Sequence, residues 1–369
     1  MKFICSKSNL VSGLQIVSKA VPNKTTMSIL ECILIDCTEG IIKFIANDME
    51  LGIQTVVDGN IIERGFIALD AKLFPDIIRK LPDSDVTIES DANCKVTISC
   101  EKAKFNLIGR SGEDFTYLPT IEKIDEVSVS QYTLKSVIQK TIFSIAENDS
   151  NKMMSGELFE IDGENLKLVS LDGHRISIRK VKLSGTYPLK KVIVPGKTLG
   201  EISKILTDNT ESMVKIYFTD KHILFEFDNT IVVSRLIEGE YFNINQMLSS
   251  DYETKMTINR KELLECIDRA TLLVKEGDKK PVIINIVDGK MELKINSTIG
   301  SMDEEIDINK QGKDLMIGFN PRFLIDALRA IEDEVIDMYL VNPKAPCFIR
   351  DKDSTYIYLV LPVNFTTVN

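Results

Sequence analysis

The sequence lacks the features that mark membrane-spanning and secreted proteins. No uninterrupted apolar run approaches the roughly 20 residues that a membrane helix needs, and the N-terminal segment contains no apolar signal-peptide core. The seven cysteines include no Cys-x-x-Cys pair. An odd number in this arrangement favours reduced thiols over disulfides or a zinc site. We therefore expect a cytoplasmic protein with no membrane segment.

Signatures of catalysis are also missing. His174 and His222, the two histidines of the chain, lie in unrelated contexts, which argues against a histidine-based metal site. The sequence contains no phosphate-binding loop, no dinucleotide-binding glycine motif and no nucleophile elbow. The sequence therefore nominates no catalytic residue, no cofactor and no metal. An enzyme that binds a small molecule in an acidic cleft stays an alternative.

Positive charge is in deficit, with 45 Lys and Arg against 55 Asp and Glu and a net charge of −10. An ordinary tight DNA-binding protein is basic, so this balance argues against one. It does not exclude a protein whose cations are gathered on one face. A length of 369 residues suits two or three domains.

A charge pattern occurs three times, at a spacing of 125 residues. In each copy two cations lie seven residues apart, about two helical turns, so both project from one side of a helix. Apolar residues recur on the opposite side, and an acid recurs three residues before the second cation. The cation pairs are Lys72 with Arg79, Lys197 with Lys204, and Arg322 with Arg329, and the acids are Asp76, Glu201 and Asp326.

Two interpretations of this pattern stay open from the residues alone. Each acid stands at the right distance for an i,i+3 ion pair, so each face could be an ordinary solvated surface. Alternatively, the three faces present cations to a long, repetitive, negatively charged partner such as a nucleic acid. Because the acids dilute the field, that contact should be weak, directed at the backbone and sensitive to salt.

A second repeat lies upstream of each charged helix and predicts a strand followed by a helix. Further Val/Ile/Thr-rich runs broken by Gly, Asn and Asp predict strands and hairpins. We therefore predict an α+β chain of three tandem domains, each with two helices and roughly eight strands, at residues 1–121, 127–248 and 254–369. The upstream repeat consists of Phe3, Leu10, Leu14 and Val17; of Val127, Leu134, Ile138 and Thr141; and of Met256, Leu263, Ile267 and Ala270.

Two further features point to surfaces. The tetrapeptide Asp172-Gly173-His174-Arg175 separates two predicted strands, and Asp-Gly in that position is a strong hairpin signal. It predicts either a plain tight turn or a rigid rim whose polar groups bind a partner. Charge is also segregated between the ends of the chain, which suggests a head-to-tail contact between copies that could close into a ring. The candidate contact residues are Lys104, Phe105 and Leu107 at one end and Leu272, Leu273, Glu304 and Glu305 at the other.

Taken in order, several short segments of the chain resemble those of one known family. Over essentially its full length the chain is similar to the bacterial DNA polymerase III beta subunit, the sliding clamp. The resemblance implies a non-catalytic protein with three clamp domains that forms a homodimeric ring around duplex DNA, with helices inside and antiparallel sheets outside. The matching segments are Met1-Lys2-Phe3, Asp172-Gly173-His174-Arg175, Val192-Ile193-Val194-Pro195, Leu236-Ile237-Glu238-Gly239, Ile317-Gly318-Phe319-Asn320 and Leu361-Pro362-Val363.

The resemblance also implies partners and sites. The six repeated cations would face double-stranded DNA without sequence preference, together with Lys24 and Asn148. Short linear peptides of the DNA polymerase III alpha subunit, clamp-loader subunits, other polymerases and repair proteins would bind a pocket between the second and third domains. The implied pocket residues are Met154, Leu171, Gly173, His174, Arg175, Ile176, Phe242, Met247, Asn320, Phe323, Pro346, Val360, Leu361, Pro362 and Val363.

The chain departs from the family pattern beside this pocket. Phe242 stands where a pocket-lining proline is usual, and Asn364 stands where an arginine is common. The chain then runs on through Phe365, and this extension could partly cover the pocket rim. A peptide-binding scaffold of the same fold that does not encircle DNA is a further alternative.

Overall fold

The computed structural model of the protein describes residues 1–146, 151–274 and 280–365. These residues contain six α-helices, two in each predicted domain as expected: α1 Lys7–Val17, α2 Leu73–Lys80, α3 Gln131–Gln139, α4 Gly196–Ile205, α5 Arg260–Thr271 and α6 Pro321–Ala330. The helix starts follow from local chemistry. Ser6 and Asn259 accept hydrogen bonds from backbone N–H groups of the first turns of α1 and α5. Asn320 does the same for α6, which has Pro321 at its first position.

Strands make up most of the remaining regular structure of the described residues. The first twelve are β1 Lys2–Ser6, β2 Cys32–Asp36, β3 Ile42–Asn47, β4 Leu51–Val57, β5 Asn60–Glu63, β6 Phe66–Asp70, β7 Asp85–Ser90, β8 Lys95–Cys100, β9 Ala103–Ile108, β10 Val127–Ser130, β11 Gly156–Leu171 and β12 Arg175–Pro195. The others are β13 Met213–Phe218, β14 His222–Phe227, β15 Thr230–Arg235, β16 Thr254–Asn259, β17 Val282–Val287, β18 Lys290–Ser297, β19 Gly300–Asp307, β20 Asn309–Gly312, β21 Leu315–Phe319, β22 Val335–Leu340, β23 Cys347–Arg350 and β24 Tyr356–Val360.

The middle predicted domain differs from the expected strand count. The first and third predicted domains contain nine strands each in the described part of the chain, but the middle one contains six. The reason is the length of β11 and β12, which span 16 and 21 residues and pair with each other as one long hairpin. Ion pairs of Glu160 with Lys167 and with Lys191, at 2.6 and 3.2 Å, support its charged portion.

The chain folds into two compact units. The first comprises residues 1–135 and 201–236. It contains a five-stranded sheet in the order β5-β1-β7-β8-β9 and an eight-stranded sheet in the order β10-β13-β14-β15-β4-β3-β2-β6. Its core includes the rings of Phe44 and Phe74, which meet edge to face at 6.4 Å.

The second unit comprises residues 136–200 and 237–369. Its seven-stranded sheet has the order β11-β12-β24-β23-β22-β16-β20, and its four-stranded sheet has the order β19-β18-β17-β21. Helices α5 and α6 pack with both sheets around a continuous apolar core. The middle predicted domain thus gives strands to both units, and the limits 1–121, 127–248 and 254–369 stay a prediction.

The buried side of every repeated helix agrees with the sequence prediction. All twelve residues of the upstream repeat are at most 3% exposed. The apolar positions of the second helices are equally buried. They are Phe74, Ile77 and Leu81; Leu199, Ile202 and Leu206; and Leu324, Ala327 and Ile331.

Candidate functional site

The turn between β11 and β12 is tight and stabilised by its own aspartate. Gly173 has φ of 83°, a left-handed conformation that favours glycine. Oδ1 of Asp172 accepts hydrogen bonds from the backbone N–H groups of His174 and Arg175, at 2.9 and 3.0 Å. The predicted Asp-Gly hairpin is therefore confirmed, and its geometry leaves His174 exposed.

Arg175 is folded inward, unlike the exposed rim residue that its position in the turn suggested. Its side chain is only 11% exposed, and its Nε and Nη1 lie 3.0 and 2.6 Å from carboxylate oxygens of Asp172 and Asp326. Nη2 donates to the carbonyl oxygen of Phe143. The guanidinium also lies 4.4 Å from the ring centroid of Phe323. Arg175 thus ties the turn to α6.

The segment after β24 forms a wall beside this turn. Strand β24 pairs with β12, with Val360 opposite Arg175. The next residue, Leu361, donates its backbone N–H to the carbonyl oxygen of His174 at 2.8 Å and is 36% exposed. The His174 ring lies 6.1 Å from that of Phe323. The turn, α6 and the C-terminal segment therefore meet at one place, and their role as a peptide pocket stays a prediction.

An apolar cluster lies under the turn. Leu171 and Ile176 belong to it, and Met154 and Phe242 pack against it. The Phe242 ring also meets the Tyr241 ring edge to face at 5.7 Å. The side chain that replaces the usual proline is thus half-buried against this cluster and adds an aromatic surface beside it.

Three further residues predicted for the pocket lie next to the elements described above. Asn320 uses its side-chain oxygen to cap α6, accepting from Arg322 N at 3.0 Å. Met247 is 48% exposed and follows a short 3₁₀ turn that begins at Ile244, a member of the apolar cluster. Pro346 directly precedes Cys347, which pairs with Val360. Their role in binding stays a prediction.

The six repeated cations are all exposed, on the sides of their helices opposite the buried apolar residues. In the first unit, Lys72, Arg79 and Lys204 border one cavity of about 850 Å³ together with Lys19. Lys19 was not predicted, since it lies outside the repeated helices. Lys24 is exposed in the segment before β2, and Asn148 lies outside the described residues.

The acids of the pattern do not all pair as their spacing suggests. Asp76 pairs with Arg79 and Glu201 with Lys204, so the i,i+3 expectation is confirmed in the first two copies. In the third copy the expectation is wrong. Asp326 pairs with Arg175 instead, and Arg329 lies 3.4 Å from Asp268 of α5. The reason is the position of α6 beside the β11–β12 turn, where a buried guanidinium competes for the carboxylate.

The predicted contact residues between copies lie at sheet edges. β9 is the edge strand of the five-stranded sheet and exposes Phe105 to 38%; β19 is the edge strand of the four-stranded sheet. Leu272, just after α5, is 79% exposed. Ile108, which ends β9 and is 87% exposed, is a further candidate that the sequence analysis missed.

The acids at the β19 edge already have cationic partners. Glu304 pairs with Arg269, and a hydrogen bond from that guanidinium holds the pKa of the Glu304 carboxyl below its ordinary value. Glu305 lies 2.6 Å from Lys290. These acids therefore offer a partner less net charge than the sequence suggested.

Two further features are absent from the described part of the chain. No described helix has both the length and the apolar character to cross a membrane. Within the described ranges, no group of three or more His, Cys, Asp or Glu side chains is arranged to hold a metal ion.

The fold and the repeated helices define a class, a chain of three tandem clamp domains, and comparisons with known proteins agree. Family models of the DNA polymerase III beta subunit match residues 1–119 (N-terminal domain), 128–243 (central domain) and 245–364 (C-terminal domain). The beta sliding clamp of Staphylococcus aureus is 32% identical over 98% of this chain and 99% of its own length. That of Bacillus subtilis is 33% identical over the same shares.

Solved structures give the same result. The crystal structure of the Bacillus subtilis sliding clamp covers 99% of this chain and 100% of its own, with 32% identity and a TM-score of 0.95. A protein of Eubacterium rectale, provisionally described as a DNA polymerase III beta subunit, is 66% identical with a TM-score of 0.96 and covers the same shares. The chain belongs to the DNA polymerase III beta subunit family, the beta sliding clamps, which are non-catalytic processivity subunits.

Proposed function

We propose that this chain is a processivity clamp of DNA polymerase III that closes around duplex DNA as a homodimeric ring in the cytoplasm. The observation that carries the proposal is the threefold recurrence of an exposed cation pair opposite a buried apolar stripe, in a chain matched by the family over all three domains. Six such faces in a dimer would surround the DNA with cations that are partly neutralised by neighbouring acids. That balance suits sliding better than tight binding.

Retention on DNA of different topology tests the ring. We expect the loaded clamp to stay on closed circular DNA and to leave the same DNA after linearisation, because a ring slips off a free end. The measurement is clamp that co-elutes with each DNA after gel filtration at physiological salt. Equal retention on both forms would indicate ordinary binding and contradict the ring.

The edges of β9 and β19 support a head-to-tail dimer. Edge strands carry backbone N–H and C=O groups that can pair with another chain. Phe105, Ile108 and Leu272 supply exposed apolar surface at or near these edges. Light scattering during gel filtration should give a dimer at micromolar concentration, and Ile108→Lys should shift it to monomer. A wild-type monomer would count heavily against the ring.

The cleft formed by the turn, α6 and the C-terminal segment would bind partner peptides. Half-exposed apolar groups such as Leu361, beside exposed His174, suit the Leu and Phe side chains of a short linear peptide. The partners proposed are the polymerase alpha subunit, clamp-loader subunits, other polymerases and repair proteins. Replacing both Leu361 and Val363 with alanine should abolish binding of a polymerase C-terminal peptide. Unchanged affinity would refute this location of the pocket.

A further inference from the structure

The C-terminal wall of the proposed cleft is held at both ends by single backbone hydrogen bonds. Leu361 N donates to the carbonyl oxygen of His174, and Val363 N donates to that of Gly318, both at 2.8 Å. Residues 361–363 therefore leave the seven-stranded sheet at β24 and reach the edge strand β21 of the four-stranded sheet. A segment with so few backbone partners keeps one conformation only if side chains beyond it add packing.

The side chain that adds this packing is Phe365. A Cβ atom on Gly318 would lie 2.7 Å from Cδ1 of the Phe365 ring and 2.9 Å from the carbonyl oxygen of Val363. The ring thus occupies the space that a side chain at Gly318 would need. Phe365 is half-buried there, while its neighbour Asn364 is exposed.

The contact also connects the two walls of the cleft. Gly318 lies in β21, two residues before Asn320, the N-cap of α6. Phe323, in the first turn of α6, contacts both the His174 ring and the Arg175 guanidinium. A ring that fixes the C-terminal segment against Gly318 therefore fixes its distance from α6. The extension after Val363 does not need to cover the cleft to affect it.

We propose that Phe365 is a positioning residue of the peptide cleft, whose ring, seated over Gly318, holds residues 361–363 in the conformation that a partner peptide binds. This inference rests on the proposed peptide-binding function. Phe365 need not touch the peptide. Without the ring, residues 361–363 also adopt conformations that do not bind the peptide. The apparent affinity then decreases in proportion to the fraction of molecules that keep the binding conformation.

The test measures binding of a fluorescent peptide, carrying the C-terminal clamp-binding segment of the polymerase alpha subunit, to the full-length dimer. For Phe365→Ala we expect the Kd to rise about fivefold to tenfold, mainly through slower association. Hydrogen exchange at the Val363 amide of the free protein should accelerate by a similar factor. Phe365→Leu should recover most of the affinity. Tyr252→Ala, which truncates a partly exposed aromatic elsewhere in the same unit, should change neither quantity.

Gly318→Ala tests the same contact from the other side, because it keeps the Phe365 ring but places a methyl group in the space that the ring occupies. It should weaken binding about as much as Phe365→Ala, and the double variant should lose less than the two single losses combined. Wild-type affinity and unchanged Val363 exchange in both single variants would overturn the inference alone. A wild-type dimer that fails to bind the peptide would overturn the peptide-binding function and the inference with it.

Discussion

Equivalent positions of the repeat are used differently in the first domain and in the region around the proposed cleft. Val17 at the end of α1 is a buried apolar residue, but its counterpart Thr141 lies 3.1 Å from Oε2 of the fully buried Glu157. Asp76 pairs within its own helix, whereas its counterpart Asp326 binds Arg175. The duplicated helices thus share their geometry, while residues at matching positions have different contacts in the two units.

The largest effect on stability is expected at the buried carboxyl group of Glu157. Burial raises the pKa of Glu157 to about 8, and the Thr141 hydroxyl, its hydrogen-bonding partner, offsets this only partly. Oε1 has no hydrogen-bond partner among the described residues. The Thr141 hydroxyl also lies 3.0 Å from the carbonyl oxygen of Val137, so a protonated Glu157 can donate to it while it donates to Val137. The folded protein therefore keeps a proton that the unfolded chain releases.

The sign of the pH dependence follows from this difference. Between the ordinary glutamate value near 4.5 and about 8, the unfolded state binds fewer protons, so this group's contribution to stability is lost as pH rises. Its share of the slope is at most about 1.4 kcal/mol per pH unit. Urea unfolding of wild type and Glu157→Gln across pH 5 to 9 should give a stability difference that increasingly favours the variant. Parallel pH profiles would mean that Glu157 is ionised in the folded protein.

The next largest effect on stability is expected for Asp326, compared with its counterpart Asp76. Asp326→Asn removes one carboxylate from the largely buried Arg175 side chain and should cost about 1–2 kcal/mol of unfolding free energy. It should also weaken peptide binding, since Arg175 holds the turn against α6. The matched control Asp76→Asn breaks an exposed pair in α2 and should cost less than about 0.5 kcal/mol. Equal effects of the two substitutions, measured by urea unfolding and peptide titration, would erase the distinction between the two helices.

This comparison also separates what the sequence predicts from what it does not. The period of apolar residues such as Leu10 and Leu134 predicts the helices and their buried sides, because burial of one helix face depends on local spacing. The partners of Arg175 leave no such signal. Phe143 and Asp326 lie 32 and 151 residues away in sequence, and only the folded second unit brings them together.

The long β11–β12 hairpin illustrates a second limit. The apolar alternation of residues 166–170 predicts a short strand, yet β11 begins at Gly156. Its charged portion is supported by ion pairs of Glu160 with Lys167 of the same strand and with Lys191 on β12. The second pair joins the two strands, and a pattern of hydrophobic residues does not predict it. The cleft residues, by contrast, came from resemblance to the family rather than from periodicity, and the structure brings many of them together.

The smallest expected effect is on DNA binding, and it concerns the exposed cation pair that is present on both α2 and α6. Although α2 and α6 differ in how their acids pair, both expose two cations with the same spacing. If the exposed pair alone faces DNA, Lys72→Ala/Arg79→Ala and Arg322→Ala/Arg329→Ala should lower the salt dependence of DNA binding equally. Each double variant removes four cations from a dimer, so the slope of log K against log salt should fall by up to about four in each case. Retention on closed circles at physiological salt should stay near the wild-type value, because topology and not affinity holds the ring. A lower slope for the variant of only one helix would mean that the different pairing of Asp76 and Asp326 also affects how the cations contact DNA.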